Sequence, residues 1–474
     1  MNEKLRKYIK EIDGISHITL DPKGPGVVRI HLIPPKRIKP NIAWIVLLNG
    51  SYILPIGFSW AILLREFINE ATKDGNVIND VGIEDIIKKV SGKIVEVFGK
   101  NTKDAMVVRD MKEIISTFIA ICKGDTVGGI AFMRLKDYAR YMSSPHRMDL
   151  MISSMKKDGS FNCNQRCIHC YAGSQTEANT KELSTEEWIR IIEKLKEARI
   201  PQITFTGGEP TLRDDLVELV KKSEWFITRL NTNGVLLNDS LCKELYEASL
   251  DSVQITLYSS DEAIHNILVG TSHFKDTIEG IKNAIKNKLN VSINTPLCTL
   301  NKDYVKLVKY CHEELGISYF TCSGLIISGN AVKSRSRENR LASNELLDEL
   351  IKALAYAREN ECDIQFTSPG WIDEKILSSL KINIPSCGAA LSNMAIAPNG
   401  DCVPCQSWLS DEPLGNILEL DWKKIWNNKK TKKIRHNSCN VDYKCPLMTK
   451  NMDSNESDIS DSLDELNMVD KNDY

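Results

Sequence analysis

Three cysteines, Cys163, Cys167 and Cys170, lie within eight residues of chain, so one flexible loop can bring their thiolates to a single metal centre. A closed structural zinc site takes four ligands. Three local thiolates leave either a distant fourth ligand or an open coordination position. Thiolates also hold iron–sulfur clusters, and a cluster with one unligated iron can bind a substrate or cofactor directly. Further along, Thr206-Gly207-Gly208-Glu209-Pro210 places two glycines before a carboxylate. The glycines admit close backbone approach to a ligand, and the glutamate can pair with an ammonium. A second cysteine group, Cys387, Cys402, Cys405, Cys439 and Cys445, lies near the C-terminus. A chain of 474 residues with fourteen cysteines has no need of disulfide staples, which points to metal binding or chemistry in a reducing compartment.

The elements that must position these groups begin at Met148, where short apolar strands start to alternate with amphipathic helices. Strands are expected at Ile203 to Phe205, Ile227 to Leu230, Ser252 to Leu257, Val291 to Asn294 and Ser318 to Thr321. Helices are expected between them, for instance over Phe274 to Lys286 and Val305 to Leu315. Ser184-Thr185-Glu186-Glu187 is a capping box that opens a helix through Leu195. Six or so βα units in series imply a parallel sheet curled into a full or partial barrel, with its ligand at the carboxyl ends of the strands. The cysteine loop follows the first of these strands and the Gly-Gly-Glu turn the second. Asn231-Thr232-Asn233-Gly234 closes the third strand, either as a ligand-facing segment or as turn chemistry alone.

The two motifs in this order resemble those of the radical S-adenosylmethionine (SAM) enzymes, in which CxxxCxxC follows the first barrel strand and GGE the second. The resemblance implies that Cys163, Cys167 and Cys170 ligate a [4Fe–4S] cluster whose fourth iron takes the amino and carboxylate groups of SAM. It implies that Gly207, Gly208 and Glu209 meet the SAM amino group. His169 holds the family's aromatic position before the third cysteine, near the adenine or simply packing the loop. Thr256 aligns with a serine that contacts the ribose or carboxylate of SAM. Reduction of SAM then yields a 5′-deoxyadenosyl radical that abstracts hydrogen from an unreactive C–H bond.

Cys387, Gly400 and Cys405 resemble the opening of the SPASM extension of radical SAM maturases, and Leu414 to Asn427 its middle stretch. Cys439 and Cys445 continue that pattern, while His436 and Thr449 stand at its outer cysteine positions. The resemblance implies one auxiliary [4Fe–4S] cluster, held by Cys387, Cys405 and Cys445 with Cys439 or Cys402 as fourth ligand. Zinc suits four thiolates equally well. Cys122, Cys242, Cys311 and Cys362 read as small apolar residues. Cys298 and Cys322 lie near the ends of barrel strands, where either could return a hydrogen atom to a substrate radical or simply pack.

Before the barrel, a strand at Val27 to Ile33, an Asn49-Gly50 hairpin and several amphipathic helices suggest a winged-helix-like domain. It resembles the peptide-recognition domains of ribosomal-peptide maturases, and a scaffold or dimerisation role is the alternative. No charge interrupts the chain between Lys39 and Arg65, a length that could span a bilayer; the hairpin signal within it argues for strands instead. A formal net charge of -2 advertises no nucleic-acid partner. Asn451 to Tyr474 carries eight acidic residues and one lysine and reads as a solvated tail.

The expected fold is therefore α/β: a partial (β/α)6 barrel over 146–375, an N-terminal winged-helix-like α+β domain over 1–145, a small cysteine-rich domain over 376–450 and the tail. The charged start leads to no apolar signal core, so a cytoplasmic chain is expected, and the resemblance implies an enzyme that modifies a ribosomally synthesised peptide or protein side chain. Its partners would be the precursor peptide or protein and a low-potential flavodoxin- or ferredoxin-type electron donor, with no nucleic acid and no membrane. Radical chemistry on a small-molecule or cofactor precursor is the alternative enzyme class. A non-catalytic iron–sulfur or zinc interaction protein is the alternative of another kind.

Overall fold

The computed structural model describes residues 3–12, 15–20, 28–35, 38–48, 52–72, 80–99, 102–122, 142–153, 162–173, 183–332, 339–409, 411–439 and 445–448. Seven parallel strands follow one another in chain order as neighbours: β5 (Arg147–Met151), β6 (Gln202–Thr206), β7 (Ile227–Thr232), β8 (Ser252–Thr256), β9 (Val291–Leu297), β10 (Tyr319–Gly324) and β11 (Asp363–Phe366). Helices α5 (Thr185–Glu197), α6 (Leu216–Lys222), α7 (Asp239–Glu247), α8 (Glu262–Val269), α9 (Phe274–Lys286), α10 (Tyr304–Leu315) and α11 (Ser343–Glu359) lie between and around them. The expected partial barrel is present, with β11 as an additional strand. The capping box that starts α5 forms as read: the Ser184 hydroxyl accepts from the Glu187 amide at 3.2 Å, and the Ser184 amide donates to the Glu187 carboxylate at 2.9 Å.

The sheet stays open because β5 and β11 do not meet. β5 pairs instead with β12 (Asn393–Ile396), parallel, and β13 (Asp401–Val403) and β14 (Gly415–Asn416) continue antiparallel from there. The cysteine-rich region is thus joined to the barrel by main-chain hydrogen bonds. Helices α12 (Glu374–Ser379), α13 (Trp422–Asn427) and α14 (Lys429–Ser438) complete this side.

The N-terminal region contains α1 (Glu3–Lys10) and an antiparallel sheet of β1 (Ser16–Leu20), β2 (Val28–Ile33), β3 (Trp44–Leu48) and β4 (Tyr52–Ile56) in that order. Helices α2 (Phe58–Ala71), α3 (Asp80–Phe98) and α4 (Asp104–Cys122) follow. Alternate residues of a strand face opposite sides, and here both sides are covered. Val28, Ile30, Leu32, Trp44, Val46 and Leu48 pack with the helices, whereas Ile33, Ile45 and Ile53 join the barrel's apolar core. A strand buried on both faces reads as a continuous apolar run. That explains the continuous apolar run of β3 within the uncharged stretch between Lys39 and Arg65, and no described helix is long and apolar enough to cross a membrane. Leu48 and Tyr52 pair across the hairpin; its Asn49-Gly50 turn and the acidic tail lie outside the described residues.

The sheet docks on the amino end of the barrel strands. Arg29 on β2 donates through Nε to Asp251 Oδ1 at 2.7 Å, just ahead of β8. The rings of His17 and His31 lie 5.3 and 5.7 Å from that of Trp225, which precedes β7. The cysteine loop is at the opposite end.

Candidate functional site

The cysteine loop leaves the carboxyl end of β5 and is pinned by its main chain. The Arg166 and Ile168 amides donate to the carbonyls of Val269 and Leu268 at 2.8 and 3.1 Å, at the end of α8. The Asn330 amide donates to the Cys170 carbonyl at 2.9 Å, and its side chain to the Cys167 carbonyl at 3.2 Å. Each turn of the loop is therefore fixed by a different βα unit.

The Gly-Gly-Glu turn touches this loop directly. The Glu209 amide donates to the Asn162 carbonyl at 2.8 Å. A Cβ at Gly208 would fall 2.0 Å from that same oxygen, so only glycine allows the contact. Gly207 has φ +137, and a Cβ there would sit 2.9 Å from the Ser153 hydroxyl. Glu209 is buried, and its two oxygens are unequally used. Oε1 accepts from the Thr211 amide, the Thr211 hydroxyl and the Thr232 hydroxyl at 3.0, 2.6 and 2.6 Å. Oε2 accepts only from the Asn233 amide, at 2.8 Å. Burial pushes the Glu209 carboxyl above its ordinary value, against the pull of these donors.

Thr232 and Asn233 thus belong to the site. Asn233 also donates through Nδ2 to Asn164 Oδ1 at 2.6 Å and approaches the Cys163 sulfur at 3.8 Å. Sequence reading left this Asn-Thr-Asn-Gly segment undecided. Its position at a strand's carboxyl end was the available signal.

The three thiols lie near enough for one thiolate to raise another. Burial pushes Cys163 up to about 12, with the Glu209 carboxylate adding to it. Cys167 and Cys170 are raised by burial too, and Cys167 further by the charges of Cys170 and Cys163. A metal centre binding here must displace those protons. Around the sulfurs, several buried polar atoms have no hydrogen-bond partner among the described residues: His169 Nδ1, Asn164 Nδ2, Gln165 Nε2 and Ser153 Oγ. Such atoms are costly unless a ligand answers them. Among the described residues no group of three or more His, Cys, Asp or Glu side chains is placed to hold a single ion. Three soft thiolates on one loop fit an iron–sulfur cluster with one iron left open.

The other expected residues divide. His169 is buried, its Nε2 is 3.0 Å from the Tyr258 hydroxyl, and burial lowers it to about 4, which keeps it neutral. Thr256 is half-buried at the carboxyl end of β8. Cys298 packs with Tyr258 and Leu325 beside Cys167 and Ile168. Cys322 does not share that placement: it adjoins Tyr304 of α10, and its strand neighbour Thr321 bonds Gln254 and Asn294 instead. Cys242 and Cys311 are buried as expected, and Cys362 is half-buried, 3.3 Å from His312 Nδ1. Cys122 ends α4, and its side chain lies outside the described residues.

The C-terminal cysteines form a second trio. Cys387 is held below the ordinary thiol value by its interaction with Cys445, against the opposing effect of burial. Cys405 feels the charge of Cys387, and Cys445 feels both. Cys402 is fully buried on β13, where the charges acting on it are Asp401 and Lys194. Cys439 caps α14 beside Arg435 and follows Ser438 in the chain. His436 is on α14, and Thr449 lies outside the described residues. Tyr171 adjoins both groups: it follows Cys170, and its hydroxyl donates to Gln406 Oε1, next to Cys405, at 3.4 Å.

With this geometry in hand, residues 159–311 match the model of the radical SAM superfamily, and residues 387–446 match that of an iron–sulfur cluster-binding domain, SPASM. Streptococcus suis SuiB bound to S-adenosylmethionine is similar in fold, with a TM-score of 0.56 at 17% identity over 85% of this chain and 91% of that one. SuiB bound to precursor peptide SuiA gives 0.55 at 16% identity, with the same coverage. Native anSMEcpe with bound AdoMet gives 0.50 at 19% identity, over 62% of this chain and 84% of that one.

Proposed function

We propose that this chain, a radical SAM protein with a SPASM extension, modifies a ribosomally made peptide or a protein side chain. The first domain works with a [4Fe–4S] cluster and SAM, and the extension with auxiliary iron–sulfur. When bound, the cluster supplies one electron that parts SAM into methionine and a 5′-deoxyadenosyl radical able to take hydrogen from a C–H bond. The remaining tasks fall to the chain. Cys163, Cys167 and Cys170 would hold three irons and leave the fourth to the amino-acid end of SAM. Glu209 would orient that end: Oε1 is saturated by three donors, and Oε2 has a lone pair to spare for an ammonium. Gly207 and Gly208 keep side chains out of the way, His169 would lie near the nucleoside, and Thr256 would face its ribose or carboxylate. Cys387, Cys405 and Cys445 would hold the auxiliary cluster, with Cys439, at the end of α14, as fourth ligand.

The observation that carries the reading is the backbone contact between the cysteine loop and the Gly-Gly-Glu turn at the carboxyl ends of β5 and β6. A peptide substrate is supported by the N-terminal sheet. Its edge strands are β1 and β4. Pro55 removes a donor from β4, whereas β1 has no proline, so β1 is the edge suited to accept a leader peptide as an added strand. The precursor-bound SuiB structure shares this overall fold. A low-potential flavodoxin- or ferredoxin-type protein would deliver the electron, and a cytoplasmic setting suits such chemistry.

The test uses anaerobically reconstituted protein with dithionite and SAM. It should release 5′-deoxyadenosine, and Cys167→Ala should abolish release. A short peptide encoded beside the gene should be modified and should slow hydrogen exchange over residues 16–20. SAM cleavage with that peptide neither modified nor bound would sink the peptide reading while leaving the SAM chemistry intact.

A further inference from the structure

The inner face of the barrel is polar. On β7 to β10, Leu230, Val253, Ile293 and Phe320 join the helices in one apolar core. Alternate residues of a strand face opposite sides, so Asn231, Gln254, Asn294 and Thr321 line the lumen. Barrel interiors are ordinarily filled by branched apolar side chains. Here three amides replace them, and Asn231, Gln254 and Asn294 are only half-buried, which marks a space that a guest can enter.

These side chains form a chain with two open ends. Gln254 Nε2 donates to the Thr321 hydroxyl at 3.2 Å, from β8 past β9 to β10, and that hydroxyl donates to Asn294 Oδ1 at 2.8 Å. The Ile293 carbonyl, at 3.5 Å, is the poorer acceptor for the same proton. A hydroxyl has one proton to give, so the chain runs in one direction. It leaves Gln254 an oxygen and Asn294 an amino group that no other hydrogen bond among the described residues uses. Turning both amides over reverses the chain and only exchanges these roles. Either way, the pair offers the lumen one acceptor and one donor. Asn231, the register partner of Gln254, adds a second acceptor: its Oδ1 is buried and has no hydrogen-bond partner among the described residues.

We propose that Asn231, Gln254, Asn294 and Thr321 bind a primary carboxamide, the side chain of an asparagine or glutamine of the substrate peptide, at the residue that loses hydrogen. The inference rests on the peptide reading and names the residue that reading leaves open. The carbonyl of the guest answers the unused amino group, and its two N–H groups answer the unused oxygen and Asn231 Oδ1. A carboxylate brings no N–H to those oxygens, and an ammonium brings no acceptor to the amino group. A backbone peptide bond has one N–H and leaves one oxygen bare. Thr256, two residues beyond Gln254 on β8, lies roughly 6–7 Å nearer the carboxyl end, on the side read as facing SAM. A side chain anchored at Gln254 therefore runs its carbon chain toward the radical.

The first experiment uses reconstituted holoenzyme with N-acetyl-glutamine N-methylamide, its glutamate counterpart, and the asparagine and aspartate pair. Saturation-transfer NMR should show the carboxamides binding about tenfold more tightly than the carboxylates, because each carboxylate leaves buried acceptors unanswered. Gln254→Leu should erase the difference. Thr321→Val, which keeps the side-chain shape but breaks the chain, should narrow it. Equal or undetectable binding of the four probes, or a preference that both variants retain, overturns the carboxamide site. The second experiment takes the peptide encoded beside the gene and changes each asparagine and glutamine in turn to aspartate or glutamate. One change should raise KM about tenfold with leader binding unaltered. Modification at a residue without a carboxamide, or sensitivity only to N-methylation of a backbone amide, also overturns it. A peptide that the wild type neither binds nor modifies would overturn the peptide reading instead, and the blocked amino acids would still decide the site.

Discussion

Replacing Arg29 by Met tests how the N-terminal sheet is held to the barrel. The Arg29 and Asp251 side chains are only 3% and 12% exposed, so the substitution leaves a carboxylate in a poorly hydrated joint. Breaking a buried pair from one side costs about 3–5 kcal/mol. Asp251 keeps the Thr228 amide at 2.7 Å and the Thr228 hydroxyl at 3.1 Å, so the low end, about 3 kcal/mol, applies. For a unit of this size that corresponds to a melting transition roughly 6–12 °C lower. The sign with pH also follows. Burial already raises the Asp251 carboxyl, and Arg29 opposes that rise; without Arg29 it climbs further. A carboxyl raised in the fold favours the folded state while protonated and loses that advantage as pH rises through its folded value. The deficit should therefore be larger at pH 8 than at pH 5.5. Scanning calorimetry of Arg29→Met, Asp251→Asn and the double variant checks this, and the double variant should recover most of the loss. A single variant that melts with wild type at pH 8, or a double variant no better than the single, would refute the argument.

Other outcomes follow from the two cysteine centres and from the docking. Thr232→Val removes one of three donors from Glu209 Oε1; at about 1 kcal/mol it should weaken SAM binding to the reconstituted protein about fivefold, read by equilibrium dialysis. Cys405→Ala should lower bound iron and sulfide, whereas Cys402→Ala should keep both, because only Cys405 shares its surroundings with Cys387 and Cys445. A leader bound to β1 sits at the amino end of strands up to seven residues long, a height of up to roughly 23 Å. A peptide with fewer than about six residues between leader and target cannot reach across, and mass spectrometry of a spacer series should show modification stopping there.

The chemistry of this protein was legible where it is local. Cys163, Cys167 and Cys170 share one loop, and Gly207, Gly208 and Glu209 one turn, so residue type and spacing nearly fix what each can do. The capping box at Ser184 and the alternation of strand and helix were legible for the same reason: backbone hydrogen bonding and side-chain period act over a few residues. The apolar run through Trp44 has the length of a membrane span, and the Asn49-Gly50 signal within it reads as paired strands; composition reports burial but not what does the burying. Here a barrel covers one face of β3 and helices the other.

Only the tertiary structure decided which distant residues meet. Cys402 and Cys405 are three positions apart, yet one points into β13's apolar surroundings and the other joins Cys387 and Cys445. Asn233 stood undecided between a ligand-facing position and turn chemistry until β7 was seen beside β6, with its amide on Glu209. Tyr258 had no motif at all, and its 3.0 Å contact with His169 Nε2 comes from the cysteine loop lying across the end of α8. Such meetings depend on strand order and register, which the burial of a whole domain sets rather than any short stretch of chain. The sequence determined the donors, and the sheet determined their company.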